Sequence, residues 1–237
     1  MSRLLIKFPT RSRPDKFKRV LEMYIDYLSG KHDIRFVITC DEDDETMNNT
    51  DIRQWFQSLQ DRGINLTAYY GHSKNKIEAC NANMEDEVFD VALLASDDMI
   101  PQIRGFDDII MNLFEQTWPD YDGAIKFHDG LRNDALCTLP VVGYKLFKSI
   151  GHFYHKDYIS LYADTEFTEL CMTLGKYAVC ETCIIKHEWV PGTHEDADEL
   201  HAEQEAPEMY EKDGATFNRR KNENKFDVDE VMERLHA

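Results

Sequence analysis

Leu4 to Phe8 forms an apolar run, and after Pro14 the residues Phe17, Val20, Leu21, Tyr24, Ile25 and Leu28 fall at helical spacing up to Gly30. A strand, a loop and a helix are expected. The pattern repeats with Ile34 to Thr39 as a strand, Ile52, Trp55, Phe56 and Leu59 as a helical face closed by Gly63, and Ile64 to Tyr70 as a strand. A third helix over about 74–88 leads into a strand over Asp90 to Ala95. Alternating strands and helices predict parallel pairing with right-handed crossovers, hence a doubly wound α/β half-domain.

Beyond a loop at 96–104 the alternation loosens. The chain then predicts a helix near Phe106 to Phe114, a short strand at Gly123 to Phe127, and an apolar stretch from Ala135 to Val142. A helix over about Thr165 to Leu174 and a strand over Tyr177 to Ile185 follow. Past Val190 the composition turns acidic and poor in apolar residues, with EDADELHAEQE, before Val228, Val231, Met232 and Leu235 mark a last amphipathic helix. The expected organisation is a main unit over 1–190, divided near residue 100, and an acidic, partly helical appendage over 191–237.

Composition narrows the function. The 237 residues are 42% hydrophobic and carry 27 Lys plus Arg against 45 Asp plus Glu, a formal charge of −18. Such a chain folds, and it is repelled by phosphate backbones and anionic bilayers, so non-specific nucleic-acid binding is disfavoured. No apolar run reaches the roughly 20 residues of a membrane span, and Arg11 and Arg13 interrupt the opening segment before a secretory apolar core could finish. A cytoplasmic protein is expected. The six cysteines, at 40, 80, 137, 171, 180 and 183, read as reduced core thiols. Cys180 and Cys183 form a C-x-x-C without a second pair at zinc-site spacing, and both fall in a predicted strand.

In open α/β sheets ligands sit beyond the carboxyl ends of the strands. There the chain carries PTRSRP (9–14), CDEDDE (40–45), GHSKNK (71–76) and SDDM (96–99). Neither G-x-G-x-x-G nor a P-loop motif is present, which removes most support for dinucleotide oxidoreductases and P-loop NTPases. Arg11 and Arg13 offer guanidinium forks for phosphate or a base edge, or are solvated loop residues. Asp97 and Asp98 form a carboxylate pair that suits a divalent cation such as Mg²⁺ or Mn²⁺, or else a helix cap with a solvated neighbour. Asp41 stands where a nucleobase or ribose would lie, within a cluster that also reads as a solvated turn. Asp164 and Glu166, in YADTEF, read as an N-terminal helix cap or as a general base. His187, in IIKHEW, is a strand-end histidine, structural or metal-ligating.

Taken in order, PTRSRP, the acid after the second strand, KIEACN (76–81), SDD and ADTEF resemble a GT-A glycosyltransferase of the family 2 type over about residues 3–190. The resemblance implies a GT-A fold, with a mostly parallel central sheet flanked by helices. It places Pro9, Thr10, Arg11, Asp41, Lys76, Asn81 and Asp97 at the nucleotide, with Arg13 beside them, and Asp98 and His187 at a Mn²⁺ or Mg²⁺ ion. Asp164 matches the catalytic base. Ser96 stands where the family commonly has the first acid of D-x-D, and Ala163 where an acid commonly precedes the base, which keeps Glu166 as a second candidate.

The implied reaction is a metal-dependent, inverting transfer from a nucleotide-sugar, UDP-sugar favoured, to an acceptor hydroxyl. Glycan, protein, lipid-linked and modified-base acceptors all stay open. The rival enzyme reading is a sugar-phosphate nucleotidyltransferase, disfavoured by the absence of a Gly-rich basic first loop. The rival from another class is a catalytically silent binding or assembly protein on the same fold. For the tail, closure over the acceptor, homodimer contacts and loose order are three open roles.

Overall fold

The computed structural model describes residues 2–188 and 207–237; the acidic run EDADELHAEQE lies outside the described residues. Strand β1 (Arg3–Thr10) leads into α1 (Pro14–Asp26), β2 (Asp33–Asp41), α2 (Thr50–Asp61), β3 (Leu66–Gly71), α3 (Lys76–Asn81) and β4 (Val91–Leu94). Then come β5 (Met99–Pro101), α4 (Phe106–Thr117), β6 (Ala124–Phe127), β7 (Val141–Gly143), α5 (Tyr144–Ile150) and α6 (Ala163–Thr173). Strands β8 (Tyr177–Cys180) and β9 (Ile185–His187), then helices α7 (Pro207–Asn224) and α8 (Val228–His236), complete the described chain. The fold is α/β, and no helix among the described residues is long and apolar enough to cross a membrane.

A seven-stranded sheet runs β3-β2-β1-β4-β7-β6-β8, and β5 pairs with β9 in a separate antiparallel ribbon. The first four of these strands are parallel, while β7 is antiparallel to both neighbours. The order reverses at β1 and β4, so the loops leaving these two strands diverge and open a crevice. Register then brings the strand ends level: Lys7 is opposite Leu94, Thr10 opposite Cys40 and Asp41 opposite Gly71. Thus the polar loops after β1, β2, β3 and β4 reach one rim.

One sheet face packs on α1, α2 and α4 through Phe8, Phe17, Tyr24, Phe56 and Phe106; the other packs on α5, α6 and α8 through Phe147, Phe167, Val231 and Leu235. The apolar stripe of α1 behaves as its spacing predicts, burying Phe17, Val20, Leu21 and Tyr24. Lys7, fully buried on β1, donates to Thr39, and burial lowers its ammonium to about 8.

Three expectations are corrected. The third helix spans only Lys76–Asn81: Asn75 caps its start, accepting from the Glu78 N–H at 2.9 Å, while Ala82 turns extended and Asn83 left-handed. The loop at 96–104 contains β5. The strand expected from Tyr177 to Ile185 is two strands in different sheets, because the chain leaves β6 after Cys180 and re-pairs with β5 from Ile185. Cys183 therefore lies between strands, and all six cysteines are free thiols.

Candidate active site

Two adjoining hollows follow the crevice. The first, about 460 Å³, is lined by Pro9, Thr10, Arg11, Arg13, Asp41, Lys76 and Asp97, and by Asp98 where it meets the second. The second, about 200 Å³, holds Asp129, Arg132, Tyr162, Asp164 and His187. Lys76, Asp98 and Ser160 line both, so the two form one continuous cleft.

At the far end of the first hollow, Arg11 donates to Asp41 Oδ2 at 2.7 Å and to Asp43 Oδ1 at 2.8 Å. The left-handed Ser12 is anchored by its N–H on Asp44 Oδ2 at 2.7 Å. Among the described residues, buried Asp41 Oδ1 and Thr10 Oγ1 have no hydrogen-bond partner. Buried polar atoms in that condition cost about 1–3 kcal/mol each, and here both belong to residues lining a cavity. They suit a polar ligand with N–H and O–H groups.

Nearer the centre, Arg13 pairs with Asp97 at 3.1 Å. Burial pushes the Asp97 carboxyl above its ordinary range, against the pull of Arg13. Asp98 experiences the same burial, yet hydrogen bonding to His187 and Ser96 and the nearby charge of Lys76 hold it well below the usual carboxylate range. The β5–β9 ribbon makes this junction: Met99 is opposite His187, and His187 Nε2 lies 3.3 Å from Asp98 Oδ2. Among the described residues no group of three or more His, Cys, Asp and Glu side chains forms a metal cage. One carboxylate and one imidazole nevertheless suit a divalent ion with several positions open to ligand oxygens.

Asp164 sits in the first turn of α6, where the helix dipole favours a carboxylate. Its Oδ1 accepts from the Thr165 N–H at 2.7 Å, and burial pushes the carboxyl up. Such a group holds a proton more readily than a solvated aspartate and serves better as a base near neutral pH. Tyr162, just before it, has φ +61°, a strained conformation for a bulky residue and one that clusters at functional sites.

Of the sequence-derived residues, Pro9, Thr10, Arg11, Arg13, Asp41, Lys76, Asp97, Asp98, Asp164 and His187 are brought to the cleft. Two are not. Asn81 accepts from the Phe153 and Tyr154 N–H groups at 3.0 and 3.2 Å and donates to the Tyr154 carbonyl at 2.6 Å, so it staples a loop. Glu166, the second candidate base, is buried away from the cleft lining: it accepts from Tyr158 Oη at 2.6 Å and is gripped by both Arg220 Nε and Nη2 at 2.8 Å.

Sequence reasoning missed Asp129, Arg132, Ser160 and Tyr162. Asp129 was within reach, since HDG follows β6 as SDD follows β4. Its Oδ1 accepts from the Leu131 and Arg132 N–H groups at 2.9 and 2.8 Å, and Thr138 donates to Oδ2 at 2.9 Å. Burial opposes these contacts, and together they hold its carboxyl below the ordinary range.

No protein-family model and no curated protein matches the sequence. Solved structures do. The mannosyltransferase PcManGT from Pyrobaculum calidifontis, in complex with GDP-Man and Mn²⁺, superposes with a TM-score of 0.66 at 15% identity, over 99% of this chain and 74% of that one. S. aureus TarS 1-349 in complex with UDP-GlcNAc gives 0.62 at 13% identity, over 100% and 72%. A Drosophila galactosyltransferase 7 mutant in complex with manganese, UDP-Gal and xylobiose gives 0.57 at 11% identity, over 96% and 84%. At these identities the likeness establishes the fold.

Proposed function

With the GT-A fold as premise, we propose that the chain is a metal-dependent glycosyltransferase that moves a sugar from a nucleoside diphosphate to an acceptor hydroxyl, with inversion at the anomeric carbon. The observation that carries this is the continuous cleft, with unpartnered Thr10 Oγ1 and Asp41 Oδ1 toward one end and Asp164 at the other. The nucleotide-sugars in the three structural neighbours support it.

The residues divide the work. Thr10 and Asp41 take the nucleobase and ribose side, and UDP is the favoured nucleotide. Asp41 has one unpartnered oxygen, enough for the single ring N–H of uracil, whereas the paired N–H donors of guanine would need both, and Arg11 already holds the other. Lys76 places a cation between the hollows, where a diphosphate needs one. Asp98 and His187 would hold Mn²⁺ or Mg²⁺. When bound, that ion supplies Lewis-acid neutralisation of diphosphate charge.

Asp164 accepts the proton of the acceptor hydroxyl as its oxygen bonds to the anomeric carbon. The bond from that carbon to the diphosphate oxygen breaks, and its electron pair leaves with the diphosphate. In-line positioning of donor and acceptor across one cleft is the protein's further contribution.

The test is nucleoside diphosphate release from a panel of UDP- and GDP-sugars, with Mn²⁺, with Mg²⁺ and with chelator. Release from at least one UDP-sugar that stops with chelator is expected. No release from any donor contradicts the reading.

A further inference from the structure

Helix α7 turns one face to the segment carrying the proposed base. Met209 lines the first hollow and Tyr210 the second. One turn on, Asp213 is 1% exposed, and its carboxylate accepts from the N–H groups of Ile159 at 3.0 Å, Ser160 at 2.9 Å and Leu161 at 2.7 Å. Phe217 lies with its ring centroid 5.7 Å from that of Tyr162, and Arg220 grips Glu166. Positions 210, 213, 217 and 220 repeat at three- and four-residue steps, the spacing of one helical face.

The three N–H donors belong to consecutive residues, all of which line the cleft. The next residue is the strained Tyr162, and Asp164 comes two later. A backbone held on one side by Asp213 and on the other by the first turn of α6 has little freedom to shift Asp164.

We infer that Asp213 is a positioning residue for transfer, and that α7 is a wall of the active cleft rather than an appendage to it. The inference rests on the reading of Asp164 as the base. By fixing the Ile159–Leu161 backbone, Asp213 sets where the Asp164 carboxylate stands relative to Lys76 and Asp98. Misplacing a reacting group by about 1 Å costs on the order of 10²-fold in rate.

The test compares Asp213→Asn, which turns an acceptor oxygen into a donor, with Asp213→Glu, which keeps both oxygens one methylene further out. Glu223→Gln, which removes an exposed pair with Arg219 on the same helix, is the control. Each is assayed with the wild type's best donor, for UDP–Mn²⁺ affinity, and for hydrogen exchange over 159–165. Asp213→Asn is expected to lower kcat by about 10²-fold, leave donor KM and UDP–Mn²⁺ affinity within about twofold, and speed exchange at 159–161 at least about tenfold. Asp213→Glu should lie between it and the wild type, and Glu223→Gln should match the wild type.

A wild-type kcat in either folded Asp213 variant overturns the inference, as does a kcat loss matched by an equal loss of UDP–Mn²⁺ affinity. A wild-type chain that turns over no donor overturns the transferase reading together with this one. Wild-type turnover that is unaltered in the variants overturns this one alone.

Discussion

The two ends of the cleft are built by opposite means. At the proposed nucleotide end, side chains stand at the ends of parallel strands and on the loops that leave them, and register brings the strand ends level: Thr10 beside Cys40, Asp41 beside Gly71. At the proposed base end, the 157–166 segment is held by a helix some fifty residues later in the chain, through Asp213 and Arg220. Acidic residues serve both ends and do different things there. Asp164 and Glu166 share the first turn of α6, yet one opens on the cleft and the other is locked in a buried pair.

Separating those two carboxylates gives the largest expected effects. Asp164→Asn should lower transfer by about 10³-fold, within the range for a lost general base, while UDP–Mn²⁺ affinity stays. Because burial raises the Asp164 carboxyl, wild-type transfer should fall with acidification above the usual Asp value of about 3.9. The base is active when deprotonated, so the loss comes as pH drops through the raised pKa. That acid limb should vanish from the residual rate of Asp164→Asn; a limb that persists unchanged would assign it to another group.

Glu166→Gln should behave in the reverse sense. Breaking a buried ion pair from one side costs about 3–5 kcal/mol, a melting-temperature drop on the order of 10 °C for a chain of this size. A variant of undiminished melting temperature that loses transfer would return Glu166 to the role of base. The smallest effect belongs to the nucleotide end: Asp41→Ala should weaken UDP binding by about tenfold, the worth of a hydrogen bond to a charged group. Calorimetry checks it, and unchanged affinity would move the nucleobase away from Asp41.

The same contrast explains what the sequence disclosed. Alternating strands and helices, together with polar clusters at strand ends, made the parallel half and its rim residues legible, because pairing between sequential parallel strands follows from short-range patterning. His187 was legible as a candidate, but only the family resemblance set it beside Asp98; the residues alone could not, because the approach depends on the chain changing sheets after Cys180, which no period in YAVCETCIIKH announces. The contacts of α7 were hidden for a related reason. Its contact face contains Asp213 and Arg220, which a search for apolar stripes passes over as solvated. The backbone contacts of Asn81 were not legible because a motif match says nothing of which groups its amide will meet. Loops closed by distant polar contacts leave little local trace.

The most direct test of the account is calorimetric titration of UDP into wild type and Asp98→Ala, each with and without Mn²⁺. Wild type is expected to bind UDP tightly only when the ion is present, and Asp98→Ala to lose that dependence together with most of the affinity. UDP binding that is equal in the two proteins, or absent from wild type with Mn²⁺ present, would contradict it.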